Sequence, residues 1–224
     1  MMRSTWFVTA TDTGVGKTVL TVLLARYLVA EAQPVKGMKP FASGDRKDAR
    51  ALRSALESRL SLAELNPWYF RRPLAPLLAA RAEERTVRLD EVLKRITSLR
   101  QPGEIFLMEG AGGFLTPLGE DFSAREIVMA LPAIPILVAP NRLGAINQVL
   151  MTLASVPPLI RTRFRVVLVA PARESLATRT NPQAIEEFVG RRVYRMPRIN
   201  DPLEIPVGNF RPWIKPLVES LLGT

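Results

Sequence analysis

Short apolar runs and segments of helical period take turns along this chain. Residues 6–10 form an apolar run with the character of a buried strand. A polar turn holding two glycines follows, and 15–32 then carries apolar positions at helical spacing, densest over 19–29. Gln33-Pro34 breaks that helix, and 35–39 reads as a short strand stopping at Pro40. A loop carrying Ser43, Gly44, Asp45 and Asp48 leads into a helix that ends near 59. The stretch 66–76, with Pro67, Pro73 and Pro76, reads as irregular. Residues 89–99 put Val92, Leu93 and Ile96 on one helical face, and 104–108 reads as a strand. A helix over 122–131, an unbroken apolar strand over 134–139, a helix over 143–155 and a buried strand over 165–170 come next. The pattern then predicts a helix over 182–189 with Pro182 in its first turn, a strand over 193–196 and a closing helix over 213–222. Fully apolar strands alternating with helices predict an α/β fold, a mostly parallel sheet with helices on both faces. No repeat, low-complexity tract or linker divides the chain, so 1–224 is expected to form a single domain.

Composition changes this picture mainly by exclusion. The 224 residues are 47% hydrophobic, well above the disordered regime. No apolar run reaches about 18 residues and no leader pattern opens the chain, so a cytoplasmic protein without a membrane partner is expected. The absence of Cys removes thiolate metal sites and cysteine nucleophiles, and the absence of His removes imidazole bases and ligands. Chemistry must come from lysines, carboxylates, hydroxyls, backbone dipoles or a hard cation, which suits phosphoryl transfer. The net charge of +10 raises a nucleic-acid reading, but 25 of the 31 basic residues are scattered arginines and no nucleic-acid motif organises them. No nucleic-acid partner is expected. Four of the six lysines (Lys17, Lys36, Lys39, Lys47) fall within the first 47 residues, a sharper signal than the total charge.

The first strand runs straight into Thr13-Gly14-Val15-Gly16-Lys17-Thr18-Val19. A strand, a glycine-bearing turn, Gly-Lys-Thr and a helix make the layout of a phosphate-binding P-loop, so the sheet is expected to be P-loop NTPase-like. Amides at the helix start form a nest for anionic oxygens, reinforced by the helix dipole. Lys17 would reach the terminal phosphates, and the Thr18 hydroxyl would serve Mg²⁺. Thr11 occupies the position where the usual pattern has its first glycine. A second glycine-rich turn, Glu109-Gly110-Ala111-Gly112-Gly113, leaves another apolar strand.

In a parallel sheet, ligands collect beyond the carboxyl ends of the strands. The loops after 6–10, 35–39, 104–108 and 134–139 are therefore expected to converge. They bring Lys17 and Thr18, then Lys39, Ser43 and Asp48, then Glu109, then 141–147. Thr18, Asp48 and Glu109 offer hard oxygens for Mg²⁺. Lys39 is a candidate for stabilising charge on a phosphate acceptor, with a plain surface lysine as the alternative.

With these residues assembled, the chain resembles the dethiobiotin synthetase family. The resemblance rests on TDTGVGKT (11–18), KPFASG (39–44), Asp48-Ala49, MEGAGGFLTPL (108–118) and NRLGAIN (141–147). It implies an ATP- and Mg²⁺-dependent carboxylation of 7,8-diaminopelargonate with CO₂, followed by closure of a ureido ring. It also implies a set of roles for residues of this chain. Lys17 and Lys39 would be catalytic, and Thr18, Asp48 and Glu109 would be metal ligands. Ser43, Lys39 and Thr13 would contact substrate, and Gly110, Ala111 and Gly112 the nucleotide. Pro197, Arg198 and Ile199 match a nucleoside-contacting segment. Gly144, Ala145, Ile146 and Asn147 match one that holds the substrate carboxylate across a homodimer interface. The chain departs from the pattern at Ala10, Leu77 and Gln148. It also has Ala170-Pro171-Ala172 where many members read adenine with an Asn-Asp pair. Three rivals are weaker. A P-loop ATPase switch would carry lysine where Asp12 stands, an amidotransferase-linked synthetase would need a Cys, and a nucleic-acid module has only net charge behind it.

Overall fold

The computed structural model describes residues 5–223. In chain order the elements are β1 Thr5–Ala10, α1 Lys17–Ala30, β2 Val35–Met38, β3 Phe41–Ser43, α2 Lys47–Ala55, α3 Leu62–Leu65, β4 Trp68–Phe70, α4 Pro76–Arg81 and α5 Leu89–Leu99. They continue with β5 Ile105–Glu109, α6 Ala124–Ala130, β6 Ala133–Pro140, α7 Ala145–Ala154, α8 Pro158–Arg161, β7 Arg165–Val169, α9 Leu176–Val189, β8 Val193–Met196 and α10 Val207–Leu222. Six strands form one parallel sheet in the order β2-β5-β1-β6-β7-β8. β1 lies between β5 and β6, where the direction of winding reverses, and such a reversal opens a crevice at the carboxyl edge.

The alternation of side chains along each strand divides the core in two. Trp6, Val8 and Ala10 face α1, α2 and α10 with Leu20, Leu24, Leu52 and Phe210, whereas Phe7 faces the other layer with Val92, Ile127, Val149 and Ile185. Both faces of the sheet are therefore covered, as the unbroken apolar strands require.

Several boundaries differ from the sequence expectation for physical reasons. α1 starts at Lys17 rather than at 15, because Gly16 sits at φ 105°, outside helical space. The loops around 41–45 and 66–76 contain a second, two-stranded parallel sheet of β3 and β4. It pairs Phe41 with Trp68 and Ser43 with Phe70, and the Phe41 and Trp68 rings stack with centroids 5.3 Å apart. The third proline of 66–76 does not belong to an irregular loop, since Pro76 opens α4 from the first turn.

α9 begins at Leu176, held by a reciprocal cap between Ser175 and Thr178, so Pro182 lies inside the helix rather than in its first turn. Proline cannot donate to the carbonyl four residues back, which is that of Thr178. The buried Asn141 side chain supplies the missing donor at 2.7 Å. α10 likewise starts at Val207 and runs through Pro212 and Pro216. Its buried stripe Phe210, Ile214, Leu217, Val218 and Leu221 keeps the helical spacing through both prolines.

Asn141 also accepts from Asn181 Nδ2 at 2.9 Å, so it is hydrogen-bonded on both sides within the core. Asn141→Ala is expected to lower the unfolding free energy by about 1–3 kcal/mol, because it orphans the Thr178 carbonyl and one Asn181 donor. Urea denaturation checks this as a lower midpoint at unchanged slope.

Candidate functional site

The site grows from the carboxyl end of β1. Thr11 N–H donates to the Val138 carbonyl at 3.0 Å, tying the start of the P-loop to β6. Gly14 at φ 72° and Gly16 at φ 105° turn the chain through a region that side chains avoid. A Cβ on Gly16 would also stand 3.3 Å from both Met196 and Val169, so the loop is seated against the ends of β7 and β8. The turn delivers Lys17, which is buried, and its Nζ donates to the Asp12 carbonyl at 3.2 Å.

The end of β2 delivers Lys39, which is more deeply enclosed. Its Nζ lies 2.7 Å from Glu109 Oε1, 2.9 Å from the Gly110 carbonyl and 3.3 Å from Asp48 Oδ2. The backbone of Lys39 is fixed as tightly as its tip. Its N–H donates to the Leu65 carbonyl at 3.0 Å, and its carbonyl accepts from the buried Asn66 Nδ2 at 2.8 Å. Asn66 is in turn held by Arg46, whose Nε donates to Asn66 Oδ1 at 3.1 Å. Nothing in the local sequence around Lys39 announces Asn66, which lies 27 positions away.

The third contribution comes from β5. Gly110 N–H donates to the Val8 carbonyl and Phe114 N–H to the Ala10 carbonyl, both at 2.8 Å, strapping the glycine-rich turn along β1. Gly112 has φ 67°, and a Cβ there would strike the Thr116 hydroxyl at 2.5 Å. That hydroxyl accepts from Gly113 N–H at 2.9 Å, a positioning contact that the motif alone did not reveal. Glu109 is fully buried. Its Oε1 accepts from Thr18 Oγ1 at 2.7 Å as well as from Lys39, while Oε2 has no hydrogen-bond partner.

These loops surround a cavity of about 930 Å³. Thr13, Gly14, Gly16, Lys17, Thr18, Val19, Lys39, Ser43, Asp48, Ala111 and Gly112 all line it, as the sequence led one to expect. Pro73, Leu74, Ala75 and Pro76 form an apolar wall that was not anticipated, and it is the second sheet that brings them there. Gly44 at φ 87° lies against Pro73. Ser43 Oγ is buried at the cavity without a partner.

Other expected residues lie outside this cavity. Gly144 caps α7 in a left-handed conformation, and Ala145, Ile146 and Asn147 form that helix's first turn, which has no side-chain cap. Pro197, Arg198 and Ile199 leave β8 beyond Met196, whose side chain approaches Gly16. The convergence therefore holds for three of the four loops within one chain, and not for 141–147.

The donor set fits Mg²⁺. The Thr18 hydroxyl, the unpartnered Glu109 Oε2 and the half-buried Asp48 carboxylate are hard oxygens. Among the described residues no three acidic or imidazole ligands cluster, so phosphate oxygens and water would have to complete the coordination shell.

Comparison with known proteins agrees with this geometry. A family described as an AAA domain matches residues 4–199. An ATP-dependent dethiobiotin synthetase of Bacillus licheniformis is 37% identical over 191 residues, spanning 83% of this chain and 81% of that one. The chain belongs to the dethiobiotin synthetase family. The relative from Akkermansia muciniphila is 40% identical over 153 residues, covering 67% and 71% of the two chains. Two solved structures share the fold at low identity. A ParA family ATPase from Chlorobium tepidum has a TM-score of 0.55 at 12% identity, with 99% and 94% of the chains covered. A plasmid partition protein from Borrelia burgdorferi has a TM-score of 0.58 at 9% identity, covering 98% and 100%.

For this dethiobiotin synthetase family member, the electrostatics separate the two lysines. Burial would push Lys39 down, but the carboxylates of Glu109 and Asp48 outweigh it and hold the ammonium above its ordinary range. Lys17 is pushed down to about 8, chiefly by burial and next by the Lys39 charge, against weaker support from the carboxylates. A bound polyphosphate would restore the Lys17 proton. At pH 6.5 the group is charged both free and bound, so nucleotide binding should be proton-neutral at Lys17. Above pH 8 binding should take up as much as one proton, and affinity should fall as pH rises. Titration calorimetry at pH 8.5 in buffers of different ionisation heat measures this uptake; buffer-independent heats would contradict it.

Proposed function

We propose that the protein is an ATP-dependent dethiobiotin synthetase of the cytoplasm, joining CO₂ to 7,8-diaminopelargonate and closing a ureido ring with release of ADP and phosphate. The observation that carries this reading is the buried Lys39, fixed beside Glu109, Asp48 and Thr18 on the same cavity wall as Lys17 and Ser43. The P-loop amides and Lys17 would hold the triphosphate, with Gly110, Ala111 and Gly112 closing the nucleotide side. Thr18, Asp48 and Glu109 would hold Mg²⁺, which supplies charge neutralisation between phosphate oxygens.

Lys39 would then stabilise the carbamate formed on one amine and the charge that develops as its oxygen takes the phosphoryl group. Ser43, whose hydroxyl is buried and unpartnered, and Thr13 would orient that end of the substrate. The aliphatic chain suits the apolar wall of Pro73, Leu74 and Pro76. We assign Pro197, Arg198 and Ile199 to the nucleoside by their place after β8, next to the P-loop.

The uncapped start of α7, at Gly144, Ala145, Ile146 and Asn147, offers amides and a helix dipole to a carboxylate. It lies off the cavity of its own chain. Exposed Leu143 and Met151 flank it, which supports a homodimer in which this turn completes the partner's site. No described helix is long and apolar enough to cross a membrane.

The reading is tested by incubating the protein with diamine, bicarbonate and Mg²⁺, with ATP and then with CTP or GTP, and following dethiobiotin. Nucleotide turnover should require the diamine; brisk hydrolysis without it would favour an ATPase switch. Pro171 carries neither an amide side chain nor a backbone N–H, so discrimination against CTP and GTP is expected to be weak.

Lys17→Ala should lower kcat/KM by about 10²–10³-fold through loss of the phosphate cation. Lys39→Ala should lower kcat by a similar factor of about 10²–10³ while leaving ATP affinity nearly intact. A Lys39→Ala protein with normal kcat and weakened ATP binding would remove the proposed role.

A further inference from the structure

The carboxylates that line the main cavity, Asp45 and Asp48, and the buried Glu109 behind it are committed. Asp45 accepts from Lys47 N–H at 2.9 Å and pairs with the Lys47 ammonium, while Asp48 and Glu109 hold Lys39. Asp12, the second residue of the P-loop sequence, is different. Its Oδ1 accepts from Thr13 N–H at 2.7 Å, and among the described residues no ion pair of 4 Å or less engages it. It is exposed, and it lines a second cavity of about 410 Å³ whose other walls include Phe114, Leu115 and Met151. Thr116 lines this cavity and the main one alike, so the two adjoin at the glycine-rich turn. Gly113 packs on the Asp12 backbone there, with 3.5 Å from its would-be Cβ to Asp12 Cα.

The chemistry of a diamine makes this carboxylate significant. Aliphatic amines are protonated near neutral pH, with pKa values of about 10 as for lysine. With the phosphates facing Lys17 and the carbamate facing Lys39, a second ammonium entering beside them is best held by an anion that neither lysine engages. It must also lose a proton before it can attack. The chain has no His and no Cys, and both lysines of the site face anions, which leaves a carboxylate or the phosphate itself as the natural acceptor.

Resting on the dethiobiotin synthetase reading, we propose that Asp12 binds the second substrate amine as an ammonium ion and accepts the proton it loses before ring closure. The neutral amine's lone pair then forms the C–N bond at the carbonyl carbon of the phosphorylated carbamate. The C–O bond to phosphate breaks, phosphate leaves with that electron pair, and it takes one of the two protons now on the nitrogen, the other staying as the N–H of the urea. Asp12 returns its proton to water.

Asp12→Asn is the informative substitution, since the amide oxygen can still accept the Thr13 N–H and keep the loop. The full-length variant should bind Mg²⁺ with a non-hydrolysable ATP analogue within about twofold of the parent, because none of the phosphate-facing groups changes. Its rate of cyclic urea formation at pH 7 should fall by about 10²-fold. The lost rate should return by about tenfold per pH unit up to pH 9, as free amine becomes available without a base. A variant with nearly parental rate and an unchanged pH profile overturns the proposal. So does one whose loss of rate follows a loss of nucleotide affinity, which would make Asp12 a loop-holding residue only. A parent chain that makes no cyclic urea sinks the synthetase reading and this role together, whereas an active parent with an indifferent variant sinks this role alone.

Discussion

Lys39 places its ammonium between two carboxylates and a main-chain carbonyl, and the rim of the sheet is organised around that contact. Burying an ammonium is costly unless charge and hydrogen bonds compensate it, and burying Glu109 carries the same penalty. Glu109 therefore requires Lys39. Removing Lys39 leaves Glu109 as an uncompensated charge in the interior, a loss usually larger than the net gain from forming the pair, whereas Lys39 without Glu109 would still face Asp48. Because Lys39 directly follows β2, Asp48 lies in the first turn of α2 and Glu109 ends β5, the contact fixes three elements against one another. Thr18 bonds the same Glu109 oxygen and brings α1 into register with them.

The P-loop half of this arrangement could be read directly from the chain. Gly14, Gly16, Lys17 and Thr18 are local in sequence, and the backbone conformations that make them a nest are the ones glycine permits. Glu109 was legible for a similar reason, since an acidic residue that ends an apolar strand of a parallel sheet must emerge at the carboxyl edge. What could not be read depends on residues far apart. Asn66 fixes the backbone of Lys39 from just past the end of α3, and Asn141 supplies the donor that Pro182 lacks. In both cases a buried amide satisfies main-chain groups that no local pattern shows to be unsatisfied.

The prolines show the same limit from the other side. Pro182 and Pro212 each read locally as a boundary, yet α9 and α10 continue through them, and α10 runs on through Pro216 as well. In α9 the broken hydrogen bond is replaced from another element, and in α10 the buried stripe spans the prolines. Tertiary context overrides propensity when the apolar face is long enough. The short β3 and β4 were missed for a related reason. Three residues are too few for periodicity to speak, and their pairing rests on the stacking of Phe41 on Trp68. That pairing matters for the site, because it carries the Pro73–Pro76 wall to the cavity.

Charge balance links the two lysines to the order in which ligands can be held. Lys39 already engages both Glu109 and Asp48, so a divalent ion arriving alone faces one net negative charge rather than two and meets the Lys39 ammonium at close range. A triphosphate changes the sum. Its oxygens draw on Lys17, whose ammonium burial has weakened and the phosphates restore. The carboxylates can then be shared with a metal whose remaining ligands are phosphate and water. On this argument the metal and the nucleotide are favourable as a pair and poor singly.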